Sequence, residues 1–232
     1  MRVAMIALLS LVVGCGGNTR DYNGDPNGNG NPNGNGDPNG NGNPNGNGDL
    51  PDMTTPPAPV YPAGPYGHQI GQTMPNVGGL SGYRLSPSQT DSTQLSWDTS
   101  ISFGDYQANP ACKCLVITIG ALWCSACQDE QPALVSDVSS DPSFCVLGIL
   151  QEGQSQGATA TRADVDTWTQ YFKQNFVVAQ GASKTDQLLS GFGSTIGLPF
   201  SFVVKPSTMK VLDVVQGFDT QIHDNAMALC NQ

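Results

Sequence analysis

The chain of 232 residues carries a formal net charge of −10, from nine Lys and Arg against nineteen Asp and Glu. That balance excludes the basic footprint that nucleic-acid binding needs, and it excludes electrostatic docking on anionic lipid. Charged residues make up only 12 % of the chain, so the acidity is a diffuse background and not an acidic tail.

Residues 1–14 read as a secretory signal. Arg2 precedes an apolar run from Val3 to Val13 broken by Ser10, too short for a permanent membrane span of about 20 residues. The run Leu11-Val12-Val13-Gly14-Cys15 resembles the bacterial lipobox, with Val12 where Leu is commoner. The resemblance implies a lipidated Cys15 at the mature N-terminus, whose acyl chains supply the two signals that stable anchoring takes. Gly16 in place of Asp implies the outer membrane of a bacterial envelope, with the domain that follows in the periplasm and surface exposure left open. Residues 15–59 then form a tether. Between 25 and 48, Asp-Pro-Asn-Gly-Asn-Gly alternates with Asn-Pro-Asn-Gly-Asn-Gly, a repeat with no apolar residue to bury and therefore no core to stack. Gly and Asn tolerate positive φ and Pro lacks a donor, so the tract sustains neither helix nor central strand. One Asp in every second repeat is too sparse for a calcium loop. As Gly-rich coil the tether spans on the order of 35–40 Å, and fully stretched it reaches about 150 Å.

Residues 60–232 are the right size for one α/β domain. Its first part, about 64–109, is rich in turn residues, with weak strand signals at 82–85 and 95–97 that read as a β-hairpin extension. Residues 114–120, Cys-Leu-Val-Ile-Thr-Ile-Gly, form a β-branched run expected as a strand buried on both faces. A helix follows over 125–138 with Pro132 inside it, a kink site. A second buried strand is expected at 144–150. Val165, Trp168, Phe172 and Phe176 at spacings of three and four predict a helix over 161–176. Residues 199–205 and 209–215 flank Pro206-Ser207-Thr208 and read as an antiparallel hairpin. A last helix spans 220–229. The order is βαβαββα.

That order, with Trp123-Cys124-Ser125-Ala126-Cys127 between the first strand and first helix, resembles the thioredoxin-like superfamily. Pro132 lies where the family kinks its active-site helix. Ile196-Gly197-Leu198-Pro199 matches its cis-proline loop, and Gly217-Phe218 its glycine region. The extension with Tyr66-Gly67 and Met74-Pro75-Asn76 is similar to the TlpA/ResA-like extracytoplasmic branch. The resemblance implies a three-layer thioredoxin-like fold and a thiol-disulfide oxidoreductase that exchanges disulfides with protein partners. It needs no cofactor, and a separate redox partner regenerates it. Pro199 is then the cis-proline, and Leu198 pairs with substrate main chain. One departure stands out. The strand position six residues before Cys124, often an acid in the family, is Thr118. Glu152 at the end of the second strand is a candidate replacement, weighed against the plainer reading of a solvated loop carboxylate. Asp129 and Glu130 read as a solvated helix face.

The remaining cysteines sort by sheet edge. Cys124 and Cys127 follow the first strand at its carboxyl end, where open α/β sheets carry their sites. A helix N-terminus lowers a thiol pKa, which makes Cys124 the nucleophile and Cys127 the resolving thiol; Trp123 shields the pair. Cys112, Cys114, Cys145 and Cys230 fall at the opposite edge. Two structural disulfides are expected there, each joining Cys112 or Cys114 to Cys145 or Cys230, with both pairings open. A zinc site from Cys112, Cys114, Cys124 and Cys127 would have to bring together pairs about 25 Å apart along a strand rising about 3.3 Å per residue. Gln128 takes the place of a haem-ligating His, Ala121 that of a peroxidase Thr, and His68 and His223 have no ligand spacing to any partner, so no metal is expected. The competing function is a non-catalytic lipoprotein of the same fold that binds a partner or metal, with Cys124–Cys127 as a structural disulfide.

Overall fold

A computed structural model describes residues 60–84, 96–181, 183–192 and 196–232. The signal peptide, Cys15 and the hexapeptide tether lie outside the described residues. The described chain contains β1 (Leu80–Arg84), β2 (Ser96–Ile101), α1 (Gly104–Gln107), β3 (Cys114–Ala121), α2 (Ser125–Ser140), β4 (Phe144–Glu152), α3 (Arg162–Phe172), β5 (Val177–Gln180), α4 (Ser183–Leu189), β6 (Phe200–Lys205), β7 (Lys210–Gln216) and α5 (Ile222–Cys230).

The strands form one sheet in the order β2-β1-β5-β4-β3-β6-β7. β3 and β5 run parallel to β4, while β6 is antiparallel to β3 and β7 antiparallel to β6. All eight residues of β3 are buried, as a β-branched run between two helical layers should be. Its side chains alternate between two cores. Leu115, Ile117 and Ile119 join Tyr106 of α1, Leu188 of α4, Met74 and the aromatic pair Phe200 and Phe202 on one face. Cys114 and Val116 join Leu134 of α2, Val165 and Trp168 of α3, and Ala226 of α5 on the other. Each fully buried side chain of the size of Phe200 or Leu134 contributes about 1.5–3 kcal/mol by leaving water.

The expected hairpin extension is β1–β2, antiparallel and docked through β1 onto β5. The Arg84 side chain staples it, reaching Asp98 at 2.8 Å and Asp105 at 2.7 Å.

The βαβαββα order is present, with β5 and α4 inserted between α3 and β6 and the single-turn α1 ahead of β3. The expected 161–176 helix ends at Phe172, where Lys173 turns left-handed at φ 51°. Its start is fixed by a capping box, in which Thr161 and Asp164 exchange side chain-to-backbone hydrogen bonds. Phe176 packs in the core from the connection that leads into β5. A four-residue strand and a seven-residue helix are too short to show a period of their own. In α2, Pro132 sits inside the helix as expected. Asn175 bridges to the far half of that helix, donating to Val135 O and Ser139 Oγ.

Candidate active site

β3 delivers the chain to the carboxyl edge of the sheet, where Leu122 and Trp123 turn it into α2. Cys124 is the N-cap of that helix. Its Sγ accepts the Cys127 N–H at 3.1 Å, one of the donors a helix N-terminus leaves unpaired. The same donor and the helix dipole favour negative charge on that sulfur. Cys124 and Cys127 are disulfide-bonded, with Cα atoms 5.2 Å apart. Cys124 keeps 6 % of its surface and Cys127 none, so Cys124 is the member of the pair that a partner can reach. Gly120 lies under the pair, since a Cβ there would stand 3.3 Å from Cys127 Sγ and crowd it.

Leu198 lines the same groove as Cys124 and Trp123. The Leu198–Pro199 peptide bond is cis, and Gly217, at φ +85°, donates its N–H to Pro199 O at 2.8 Å. That positive φ explains a glycine at this position. Phe218 follows it, 36 % exposed. Trp123 is 41 % exposed, and its indole N–H donates to Glu152 Oε2 at 2.8 Å. Glu152 therefore lies beside Trp123 and orients the ring.

Glu130 corrects the reading of a solvated helix face. Asp129 is exposed, but Glu130 is completely buried. Its Oε2 accepts the Thr118 hydroxyl at 2.9 Å, and Oε1 has no hydrogen-bond partner. Burial pushes its pKa up to about 7, with the Thr118 hydrogen bond pulling the other way. The inward face of α2 runs through Cys127, Glu130, Gln131 and Leu134, so the carboxyl lies one helical turn from Cys127. The strand position that lacks an acid thus touches an acid supplied by the helix. The signal was in the sequence: the spacing of three from Cys127 puts Glu130 on the buried side. Beside it, Gln131 donates to Cys127 O at 3.0 Å and accepts from buried Gln174 at 2.6 Å.

At the opposite edge Cys112 is bonded to Cys145 and Cys114 to Cys230. Cys145 pairs with Leu115, so sheet alternation puts it on the face opposite Cys114. Cys112, which precedes β3, joins Cys145 at the core of α1 and α4, while Cys114 and Cys230 belong to that of α2, α3 and α5. His223 lies in the first turn of α5, bonded to Asp224 at 2.9 Å and edge-on to Phe144, and His68 is half-buried in the N-terminal segment.

The chain matches no family model and no curated protein. Among solved structures it is similar to a Chlorobium tepidum protein classed as the thiol:disulfide interchange protein DsbE. The identity is 17 % over 72 % of this chain and 100 % of that one, with a TM-score of 0.51. The fold is thioredoxin-like. A thiol:disulfide interchange protein from Bacteroides sp. is 16 % identical over 71 % of this chain and 91 % of its own, with a TM-score of 0.48. In this thioredoxin-like fold Cys124 and Leu198, the residue before cis-Pro199, line one groove, and buried Glu130 lies one helical turn from Cys127 against Thr118 of β3. Among the described residues, no group of three or more His, Cys, Asp or Glu is placed to hold a metal ion. Nor is any helix among them long and apolar enough to cross a membrane.

Proposed function

We propose that the chain is a thiol-disulfide oxidoreductase of the bacterial cell envelope, anchored by lipid on Cys15 to the outer membrane and acting on protein partners within reach of its tether. The observation that carries the reading is Cys124 Sγ at the tip of α2, accepting a helix N–H and sharing a groove with Leu198, the residue before cis-Pro199.

In the dithiol form, the Cys124 thiolate attacks one sulfur of a partner disulfide. A mixed disulfide forms and the partner's other sulfur leaves as a thiolate. Cys127 then gives its proton to Glu130 and attacks Cys124 Sγ. The mixed disulfide breaks, the Cys124–Cys127 bond forms, and the partner departs as a dithiol reduced by two electrons. Glu130, titrating near 7, suits a proton acceptor that works close to neutral pH. The disulfide form runs the same steps backwards when a partner dithiol attacks Cys124. A second thiol-disulfide protein restores the starting state in either direction.

Trapping tests the assignment of roles. Cys127→Ser removes the resolving thiol and should accumulate mixed disulfides at Cys124, seen as reducible high-mass bands on a non-reducing gel. Cys124→Ser should give none. Equal adducts from the two variants, or none from either, would favour a binding protein with a structural bridge at this position.

A further inference from the structure

Beside Cys124 the surface opens into a groove of about 300 Å³. Trp123, Leu189, Ile196 and Leu198 form its apolar side, and Gln151 and Glu152 its polar side. The charge is one-sided. Glu152 stands in the groove, and the Gln151 amide at its wall is hydrogen-bonded to the exposed carboxylate of Asp186. Among the described residues, no Lys or Arg lines it. The Trp123 indole takes one oxygen of Glu152, and a carboxylate accepts about four hydrogen bonds over its two oxygens. Glu152 is thus aimed by a fixed donor and keeps acceptor capacity toward a ligand.

We propose that this groove holds the stretch of a partner protein next to its reacting cysteine and selects a cationic side chain there. The claim rests on the redox reading of Cys124 and names the substrate class for it. A Lys or Arg side chain matches both halves of the groove. Its methylene stem covers the apolar wall formed by Leu189, Ile196 and Leu198. Its head meets the Glu152 carboxylate and the exposed Trp123 ring, which attracts a cation over its face. An acidic flanking residue meets Glu152 and Asp186 with like charge. The net charge of −10 adds long-range steering of the same sign. Basic protein disulfides are therefore preferred, and acidic ones, including the anionic disulfide of glutathione, are disfavoured.

The test uses three peptides identical except for the residue after their single cysteine: Lys, Ser or Glu. Each is supplied as its mixed disulfide with 2-mercaptoethanol. The chain with Cys124–Cys127 reduced and both far-edge disulfides intact attacks and resolves, and chromatography follows release of the peptide thiol. At low ionic strength the Lys peptide should react about tenfold faster than the Glu peptide, with Ser between. At about 1 M salt, where screening reaches down to about 3 Å, the spread should shrink. Glu152→Gln keeps an acceptor for the Trp123 indole and removes the charge, so it should lower the Lys-to-Glu ratio to about two. Equal rates for the three peptides, or a ratio that survives Glu152→Gln, overturn the selection while leaving the redox reading intact. No reaction with any of them overturns both.

Discussion

Glu130→Gln should make the oxidised protein more stable above neutral pH and slower in its chemistry. The carboxyl is completely buried, with a pKa raised from 4.5 to about 7 by loss of water. Folded chains therefore hold a proton between pH 4.5 and about 7 that unfolded chains have lost. Stability falls as pH rises through that window, and the full penalty is present above it. At about 1.4 kcal/mol per pH unit, the interval bounds the penalty at about 3 kcal/mol. Gln has nearly the same shape and can still accept the Thr118 hydroxyl, but it carries no charge. Urea unfolding of the two proteins should show little difference at pH 4 and a gain of up to about 3 kcal/mol for Glu130→Gln at pH 8. The chemical consequence has the opposite sign. The wild-type rate of partner release should rise through an inflection near 7, and Glu130→Gln should lose that inflection with a rate about 10²- to 10⁴-fold lower. Superimposable pH-rate profiles would make Glu130 a packing residue only.

The second large effect lies at the far edge of the sheet. Cys114–Cys230 closes a loop of 116 residues and Cys112–Cys145 one of 33. On chain entropy alone, the longer loop contributes about 4.9 kcal/mol and the shorter about 3.7 kcal/mol. Replacing Cys114 and Cys230 together by Ala, which leaves no unpaired hydroxyl in a buried site, should lower the unfolding free energy by about 4–5 kcal/mol. The same change at Cys112 and Cys145 should cost about 1 kcal/mol less. Urea midpoints of the two double variants measure this. A larger loss at Cys112 and Cys145 would contradict the loop-length account.

The sequence is most legible where burial forces a composition on it. β3, β4 and β6 stand out because a strand covered on both faces selects β-branched and aromatic residues over a usable length, and β7 stands out through the turn at Pro206-Ser207-Thr208 that joins it to β6. The edge at which each cysteine falls follows from topology, since a strand start and a strand end lie at opposite sides of the sheet. The short elements β5 and α4 escape because four or seven residues do not establish a period. Helix α3 is read too long because Phe176 keeps helical spacing with Phe172 although the left-handed Lys173 has already ended the helix. The disulfide partners depend on which core each sulfur enters. That distinction is set by the packing of α5 against β3 and is invisible until both faces are built. Glu130 is obscured by its type, because Glu is almost never fully buried. Here its helical position outweighs its polarity. The inward face of α2 is fixed by Cys127 and Leu134, and Glu130 goes where that face goes.

On the proposed function, one of the three disulfides among the described residues exchanges with partners and two stabilise the fold. The direct measurement is a redox titration of the wild-type protein in a dithiol buffer, with alkylation of free thiols and mass analysis of the peptides at each potential. Cys124 and Cys127 should become alkylated together at a potential above about −300 mV, while Cys112, Cys114, Cys145 and Cys230 stay oxidised. A Cys124–Cys127 bond that opens only after the far-edge bridges would contradict it.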